Sequence, residues 1–192
     1  ALARLDVVIL GFYPGWKGDR DGSTIRNAVQ QLKRRNPAIK VGQYTVLNEA
    51  SDDRQRAAAD RDKIDKLDQE GWWLRSAAGG KQQWSTAHGA WDINITRFAK
   101  ADANGERYPQ WLVKRDAKFY FQRIPDFDIW YFDNVMERSR VGAADWRGNG
   151  RDASGRDAEL ASAFRQAMAE EWETAGKLAP RALLMGNTDS DL

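Results

Sequence analysis

Short apolar runs alternate along the chain with segments of helical periodicity, and this alternation most limits the possible folds. The apolar runs begin near positions 5, 39, 72, 128 and 181, so their spacings are about 34, 33, 56 and 53 residues, against about 30 for a plain strand-plus-helix unit. In the two longer units the surplus follows the strand and precedes the helix. Such connections lie at the carboxyl ends of parallel strands, where ligands bind. The spacing therefore predicts a parallel α/β domain with a functional site at that edge.

Two parallel α/β architectures fit this pattern, an open doubly wound sheet and a TIM-type (β/α) barrel. A nucleotide-binding open sheet carries a glycine-rich turn after its first strand, whereas the turn 11–18 contains bulky aromatic residues and a proline. We therefore expect a TIM-type (β/α) barrel, with about five strand–helix units present in this chain. Because eight units typically need about 250 residues, we expect residues 1–192 to form a single catalytic domain that is incomplete at its C-terminus.

The amino-acid composition excludes several classes of functional site. The chain has no cysteine and one histidine, His88, which excludes disulfide scaffolds, thiolate metal sites and sites with several imidazoles. The segment 145–150 echoes the start of a calcium loop, but Arg147 replaces an oxygen ligand, so we predict no metal and no cofactor. A formal net charge of +2 does not indicate a nucleic-acid partner, and no apolar run approaches the roughly 18 residues of a membrane span.

The clearest predicted strand spans 128–135 and carries the main candidate for catalysis. Period-two alternation sorts its residues into two faces: Ile129, Tyr131 and Asp133 on one, and Asp128, Trp130, Phe132 and Asn134 on the other. In a barrel, Asp133 then lies at the carboxyl end of the interior, and a carboxyl group shielded from water there suits general acid catalysis of sugar hydrolysis. The alternative is a side chain that caps the following turn.

Polar residues also follow the neighbouring strands. Glu49 is the best second carboxylate within the chain, although a role in capping the next helix explains it equally well. The predicted catalytic pair is therefore Asp133 and Glu49, with a partner for Asp133 in strands beyond residue 192 as the alternative. Predicted substrate-binding residues stand at strand ends and in loops near this edge: Tyr13, Trp16, Asn48, Trp91, Asn94, Tyr131, Asn134, Asn187 and Asp189.

The tryptophans in predicted loops, and the polar residues next to Trp91, can each serve either substrate binding or local structure. The nine tryptophans of the chain suit either a large core or platforms that stack on sugar rings. Trp16, Trp84 and Trp91 fall in predicted loops, where each can bind sugar or anchor its own loop. Asp92 and Asn94 follow Trp91 and are equally well explained as structural groups of the turn.

Several segments, in order along nearly the whole chain, carry a resemblance to a known family. They are Asn94-Ile95-Thr96, Tyr108-Pro109-Gln110-Trp111 at a helix start, the strand 127–135, the loop 145–152 and the final segment 183–187. In these segments the chain resembles a family of bacterial glycoside hydrolases with a (β/α) barrel, loosely related to barrel glycosidases that cut galactosamine-containing polymers. The resemblance implies that Asp133 is a catalytic carboxylate and that the protein is secreted or periplasmic. It implies no particular sugar.

The leading hypothesis is a glycoside hydrolase that cleaves glycosidic bonds of a polysaccharide by carboxylate acid/base chemistry. The polysaccharide or oligosaccharide substrate would lie across Tyr13, Trp16 and Trp91. The alternative is a non-catalytic carbohydrate-binding barrel, which keeps the aromatic platform without a competent carboxylate pair. A weaker alternative is an open-sheet protein that binds a small acidic or phosphorylated metabolite.

Overall fold

The computed structural model of the chain describes residues 1–11, 20–55 and 58–188. These residues form a mixed α/β fold around one sheet of four parallel strands. In chain order the strands are β1 (Val7–Leu10), β2 (Lys40–Val46), β3 (Glu49–Ala50), β4 (Trp91–Asp92), β5 (Ile129–Val135), β6 (Ala143–Ala144), β7 (Ala153–Ser154) and β8 (Leu183–Thr188). The sheet has the order β1-β2-β5-β8, while β3 with β4 and β6 with β7 make two short antiparallel pairs in the connections.

Helices connect the parallel strands. In the described part of the chain they are α1 (Ser23–Arg35), α2 (Arg61–Glu70), α3 (Tyr108–Asp116) and α4 (Ala158–Leu178), and a turn of π-helix (Ala117–Phe121) extends α3. The carboxylate of Asp157 caps α4 by accepting hydrogen bonds from its first free N–H groups. No helix within the described ranges is long and apolar enough to cross a membrane.

One face of the parallel sheet is buried against the helices. Trp130 and Phe132 of β5 lie on this face, as period-two alternation predicts, and both are buried. The Trp130 ring stacks on Phe121 with centroids 4.5 Å apart, and its indole N–H donates to the Thr45 hydroxyl at 2.9 Å. This packing fixes the rotation of β5 about its axis and confirms the predicted division of the strand into two faces.

The opposite face of the sheet, here termed the open face, carries exposed apolar side chains in the described part of the chain. Val7 is 47% exposed, Leu183 63% and Met185 48%, although all three belong to strands of a parallel sheet. By strand register Tyr131 and Asp133 lie on this same face. Parallel sheets ordinarily have both faces covered. Among the described residues, no strand pairs with the outer edge of β1 or of β8.

The predicted third strand is wrong. The segment 72–74 does not join the sheet, because its backbone pairs with the chain around β4: the Leu74 N–H donates to Asp92 O at 2.9 Å and the Asn94 N–H to Trp72 O at 2.8 Å. Trp72 is fully buried, and its indole N–H donates to the Lys100 carbonyl at 2.7 Å. As a result β2 pairs directly with β5, and the sheet has four strands instead of the expected five.

A buried carboxyl group lies between the helices on the covered side. Glu171 of α4 is buried, and within the described ranges its Oε1 atom has no hydrogen-bond partner. Burial, and secondarily the charge of Asp116 on α3, raise the pKa of Glu171 well above its ordinary value. Its protonated form is therefore favoured in the folded state.

The substitution Glu171→Gln is expected to stabilise the protein at neutral pH. Because the folded pKa is raised, the wild type loses stability as pH rises above the ordinary glutamate range, with a slope of up to about 1.4 kcal/mol per pH unit from this group. Glutamine imitates the neutral acid and removes that slope. Urea unfolding from pH 5 to 8 measures the difference, with Glu173→Gln on the exposed side of the same helix as control. Equal pH dependence in wild type and Glu171→Gln would contradict this assignment.

Candidate active site

Asp133 lies near the carboxyl end of β5, with β2 and β8 on either side, and accepts three hydrogen bonds. The Tyr44 hydroxyl from β2 donates to its Oδ2 atom at 2.6 Å. The Asn187 side-chain amide from β8 donates to Oδ1 at 2.8 Å, and the Asn134 backbone N–H donates to the same oxygen at 2.9 Å. The carboxyl group is thereby held at the sheet edge where ligands bind in parallel folds.

Two tyrosines form an aromatic platform beside Asp133. Tyr44 and Tyr131 are register partners of β2 and β5, and their rings stack with centroids 5.9 Å apart. Burial first, and then the hydrogen bond and charge of Asp133, raise the pKa of Tyr44 well above 10, so its hydroxyl remains a donor. Burial and the Asp133 charge also raise the pKa of Tyr131. A flat pair of rings next to a carboxyl group suits contact with a sugar ring.

Glu49 lies just beyond the carboxyl end of β2 and reaches the same edge. The indole N–H of Trp84 donates to its Oε2 atom at 2.6 Å, and the side-chain amide of Asn134 approaches Oε1 at 3.5 Å. Asn134 therefore contacts Asp133 through its backbone and Glu49 through its side chain. The structure thus brings both predicted catalytic carboxyl groups to one site.

The conformation of Asn134 makes this double contact possible. Its φ of 55° lies in the left-handed region, and the pairing of β5 with β8 shifts register between Phe132 and Val135. The side chain therefore reaches Glu49, whereas strict alternation predicts that it shares the face of Trp130 and Phe132. The guanidinium of Arg140 holds the Asn134 side-chain oxygen at 3.3 Å.

Asp92 is a third carboxyl group at this site, and the predicted catalytic pair did not include it. It is the antiparallel register partner of Glu49, it is only 3% exposed, and it accepts a 2.9 Å hydrogen bond from the backbone N–H of Trp84. Burial, and then the charge of Glu49, raise the pKa of Asp92 to about 7, against the opposing effects of the Trp84 N–H and of Arg140. In the sequence Asp92 directly follows Trp91, and no local pattern there indicates that it is buried opposite Glu49.

The other predicted substrate-binding residues differ in their placement. Asn48 is fully buried, and within the described ranges its side-chain oxygen has no hydrogen-bond partner. Asn94 is buried and its side chain serves the local turn, since its amide donates to Trp146 O at 2.8 Å and its oxygen accepts from the Thr96 hydroxyl at 2.7 Å. Trp91 is half-buried against the core. Tyr13, Trp16 and Asp189 lie outside the described residues.

Three carboxyl groups and several hydrogen-bond donors lie at this edge of the sheet. Asp133, Glu49 and Asp92 lie there together with donors from Tyr44 and Trp84. In the described portion of the chain, no three histidine, aspartate or glutamate side chains form a group that could hold a metal ion. Because acid/base cleavage of a glycosidic bond uses two carboxyl groups that flank the bond, this edge is a candidate site for that chemistry.

Comparison with known proteins finds a similarity in structure but none in sequence. No protein-family model matches the chain, and no curated protein matches it in sequence. The glycoside hydrolase domain of PelA from Pseudomonas aeruginosa is similar over 97% of this chain and 53% of its own, with a TM-score of 0.51 and 17% identity. A single-residue variant of that domain matches over the same shares, with a TM-score of 0.51 and 18% identity. The chain thus spans about half the length of these structures, and its fold is similar to that part of a glycoside hydrolase domain.

The left-handed backbone at Asn134 predicts an unusual order of stability among substitutions. Asn134→Ala is expected to be less stable than Asn134→Gly by about 1 kcal/mol, because alanine is strained at positive φ and glycine is not. At Asn187, in the body of β8, the order is expected to reverse, since glycine weakens an ordinary strand. Urea unfolding of the four variants measures both differences. Asn134→Ala as stable as Asn134→Gly would show that the turn does not require this conformation.

Proposed function

We propose that the chain belongs to a glycoside hydrolase that cleaves glycosidic bonds of a polysaccharide, with Asp133 and Glu49 as its acid/base pair. The observation that carries this proposal is the link between the two carboxyl groups: Asn134 donates to Asp133 through its backbone and to Glu49 through its side chain. The similarity in fold to a glycoside hydrolase domain supports the same reaction class.

The two carboxyl groups have different surroundings and therefore different proposed roles. Asp133 accepts from Tyr44, Asn134 and Asn187, so its oxygens are oriented as acceptors towards the open face. In this arrangement it stabilises the positive charge that develops at the anomeric carbon. Glu49 is held at its Oε2 atom by the Trp84 indole, and it donates the proton that the leaving group needs.

The proposed reaction balances within this pair and one water molecule. The bond between the anomeric carbon and the glycosidic oxygen breaks, and its electron pair remains on that oxygen, which takes the proton of Glu49. Water supplies the hydroxyl group that ends on the anomeric carbon and returns a proton to the carboxyl pair. The ring of Tyr131, stacked on Tyr44, supports the sugar beside Asp133.

The proposal includes a (β/α) barrel, of which the four parallel strands form one part. Three apolar side chains of the open face, Val7, Leu183 and Met185, are exposed in the described chain, and a barrel interior would cover them. The solved glycoside hydrolase domain that the chain resembles is nearly twice as long as the matched region. We also propose that the protein acts outside the cytoplasm, as expected for a secreted or periplasmic enzyme that degrades a polymer.

The substitution Asp133→Asn is expected to lower the release of reducing sugar by about 10²- to 10³-fold, the usual loss when one group that stabilises transition-state charge is removed. The assay is a panel of α- and β-linked polysaccharides incubated with the purified chain. Asp126→Asn is the control, because Asp126 is exposed in the loop that precedes β5, at the other end of that strand.

Two results would contradict the proposal. Undiminished turnover in Asp133→Asn would remove this carboxyl group from the mechanism. Quenching of tryptophan fluorescence by a polysaccharide that prolonged incubation leaves intact would favour the non-catalytic carbohydrate-binding barrel instead.

A further inference from the structure

Trp84 connects two carboxyl groups with two different N–H groups. Its indole N–H donates to Glu49 Oε2 at 2.6 Å, and its backbone N–H donates to Asp92 Oδ2 at 2.9 Å. Glu49 and Asp92 are also directly opposite each other in the short β3–β4 pair. The two side chains are therefore held together by a backbone ladder and by a single residue that bonds to both.

The environment of Asp92 differs from that of Glu49 in its access to solvent. Asp92 is buried, whereas Glu49 is half-buried at the edge where Asp133 lies. A buried carboxyl group without a positively charged hydrogen-bond partner is stable mainly in its neutral form. Two charged groups act on Asp92, namely Glu49 on β3 and Arg140 in the loop after β5.

The guanidinium of Arg140 contacts the face of the Trp84 ring. It lies 4.6 Å from the centroid of the Trp84 ring and donates to the Asn134 side-chain oxygen at 3.3 Å. Trp84 is thereby restrained on its ring face as well as at both N–H groups, and its orientation is set by at least three elements of the fold. A residue restrained in this way can hold Glu49 in one rotamer.

We infer that Asp92 is a positioning residue of the site, which acts through Trp84 to fix Glu49 and to set the charge around it. The inference rests on the proposed function, because it assigns Asp92 a part in the acid/base work of Glu49. Because Asp92 is only 3% exposed, we expect it to act on Glu49 without contacting the substrate. Near neutral pH it changes its charge, and each change alters the field at Glu49.

A titration that does not depend on activity tests the inference first. The chain is labelled with ¹³C at aspartate carboxyl carbons, and the Asp92 signal is identified by its loss in Asp92→Asn. We expect this signal to titrate near pH 7 and to move to lower pH in Glu49→Gln, because the Glu49 charge disfavours ionisation of Asp92. Asp133→Asn is the matched control and is expected to leave the Asp92 titration in place. An Asp92 titration in the ordinary aspartate range, or one indifferent to Glu49→Gln, would overturn the inference.

The pH dependence of hydrolysis gives the second readout. In Asp92→Asn the amide oxygen can still accept from the Trp84 N–H while the ionisable proton is gone, so the inflection of kcat near pH 7 is expected to disappear. In Trp84→Phe the backbone bond to Asp92 remains and the bond to Glu49 is lost, so kcat is expected to fall about 10- to 100-fold with a smaller change in KM. A pH profile of Asp92→Asn that keeps the wild-type inflection would contradict the inference.

The two experiments separate this inference from the proposed function. If no polysaccharide is hydrolysed but the Asp92 signal titrates near pH 7 and responds to Glu49→Gln, the proposed function fails and the coupling of Asp92 to Glu49 stands. If hydrolysis depends on Asp133 while the Asp92 signal is ordinary and unresponsive, the function stands and the positioning role of Asp92 is refuted.

Discussion

The packing of β5 against the helices determines which face of the sheet Asp133 lies on. Trp130 and Phe132 are buried on the helix side, where Trp130 stacks on Phe121 and donates to Thr45. Alternation along the strand then requires Tyr131 and Asp133 to lie on the opposite face. Rotation of the strand would expose two large aromatic rings, at a cost of roughly 1.5–3 kcal/mol for each buried apolar side chain. The direction of Asp133 is therefore a consequence of core packing.

The central position of β5 in the sheet provides the hydrogen-bond donors for the Asp133 carboxyl group. Because β2 and β8 flank β5, Tyr44 and Asn187 can donate to Asp133 from either side. The left-handed backbone of Asn134, at the register shift within β5, then extends an amide towards Glu49. A backbone conformation as unfavourable as that of Asn134 persists only where surrounding contacts hold it in place. Such positions are common at functional sites. The two-carboxyl arrangement thus depends on one irregular residue at the end of a regular strand.

Sequence reasoning succeeded where periodicity and burial agree. The strand 129–135, its two faces and the place of Asp133 at the carboxyl end follow from alternation of large apolar residues. Two tryptophans and a leucine form an apolar run at 72–74 that predicts a sheet strand, but the backbone of this segment pairs with the segment around β4. Contacts such as those of Trp84 with Glu49 and Asp92 join residues far apart in the sequence, and no local pattern indicates them. The twist of the backbone at Asn134 is equally invisible to a period-two analysis.

The proposed function requires that a sugar binds at the carboxyl edge of the sheet, between Asp133 and Glu49. The most direct measurement is a crystal structure of Asp133→Asn soaked with oligosaccharides prepared from whichever polysaccharide binds the wild type. We expect a sugar ring against Tyr131, with a glycosidic oxygen within hydrogen-bond distance of Glu49. Sugar bound elsewhere on the molecule, with this edge occupied only by solvent, would contradict it.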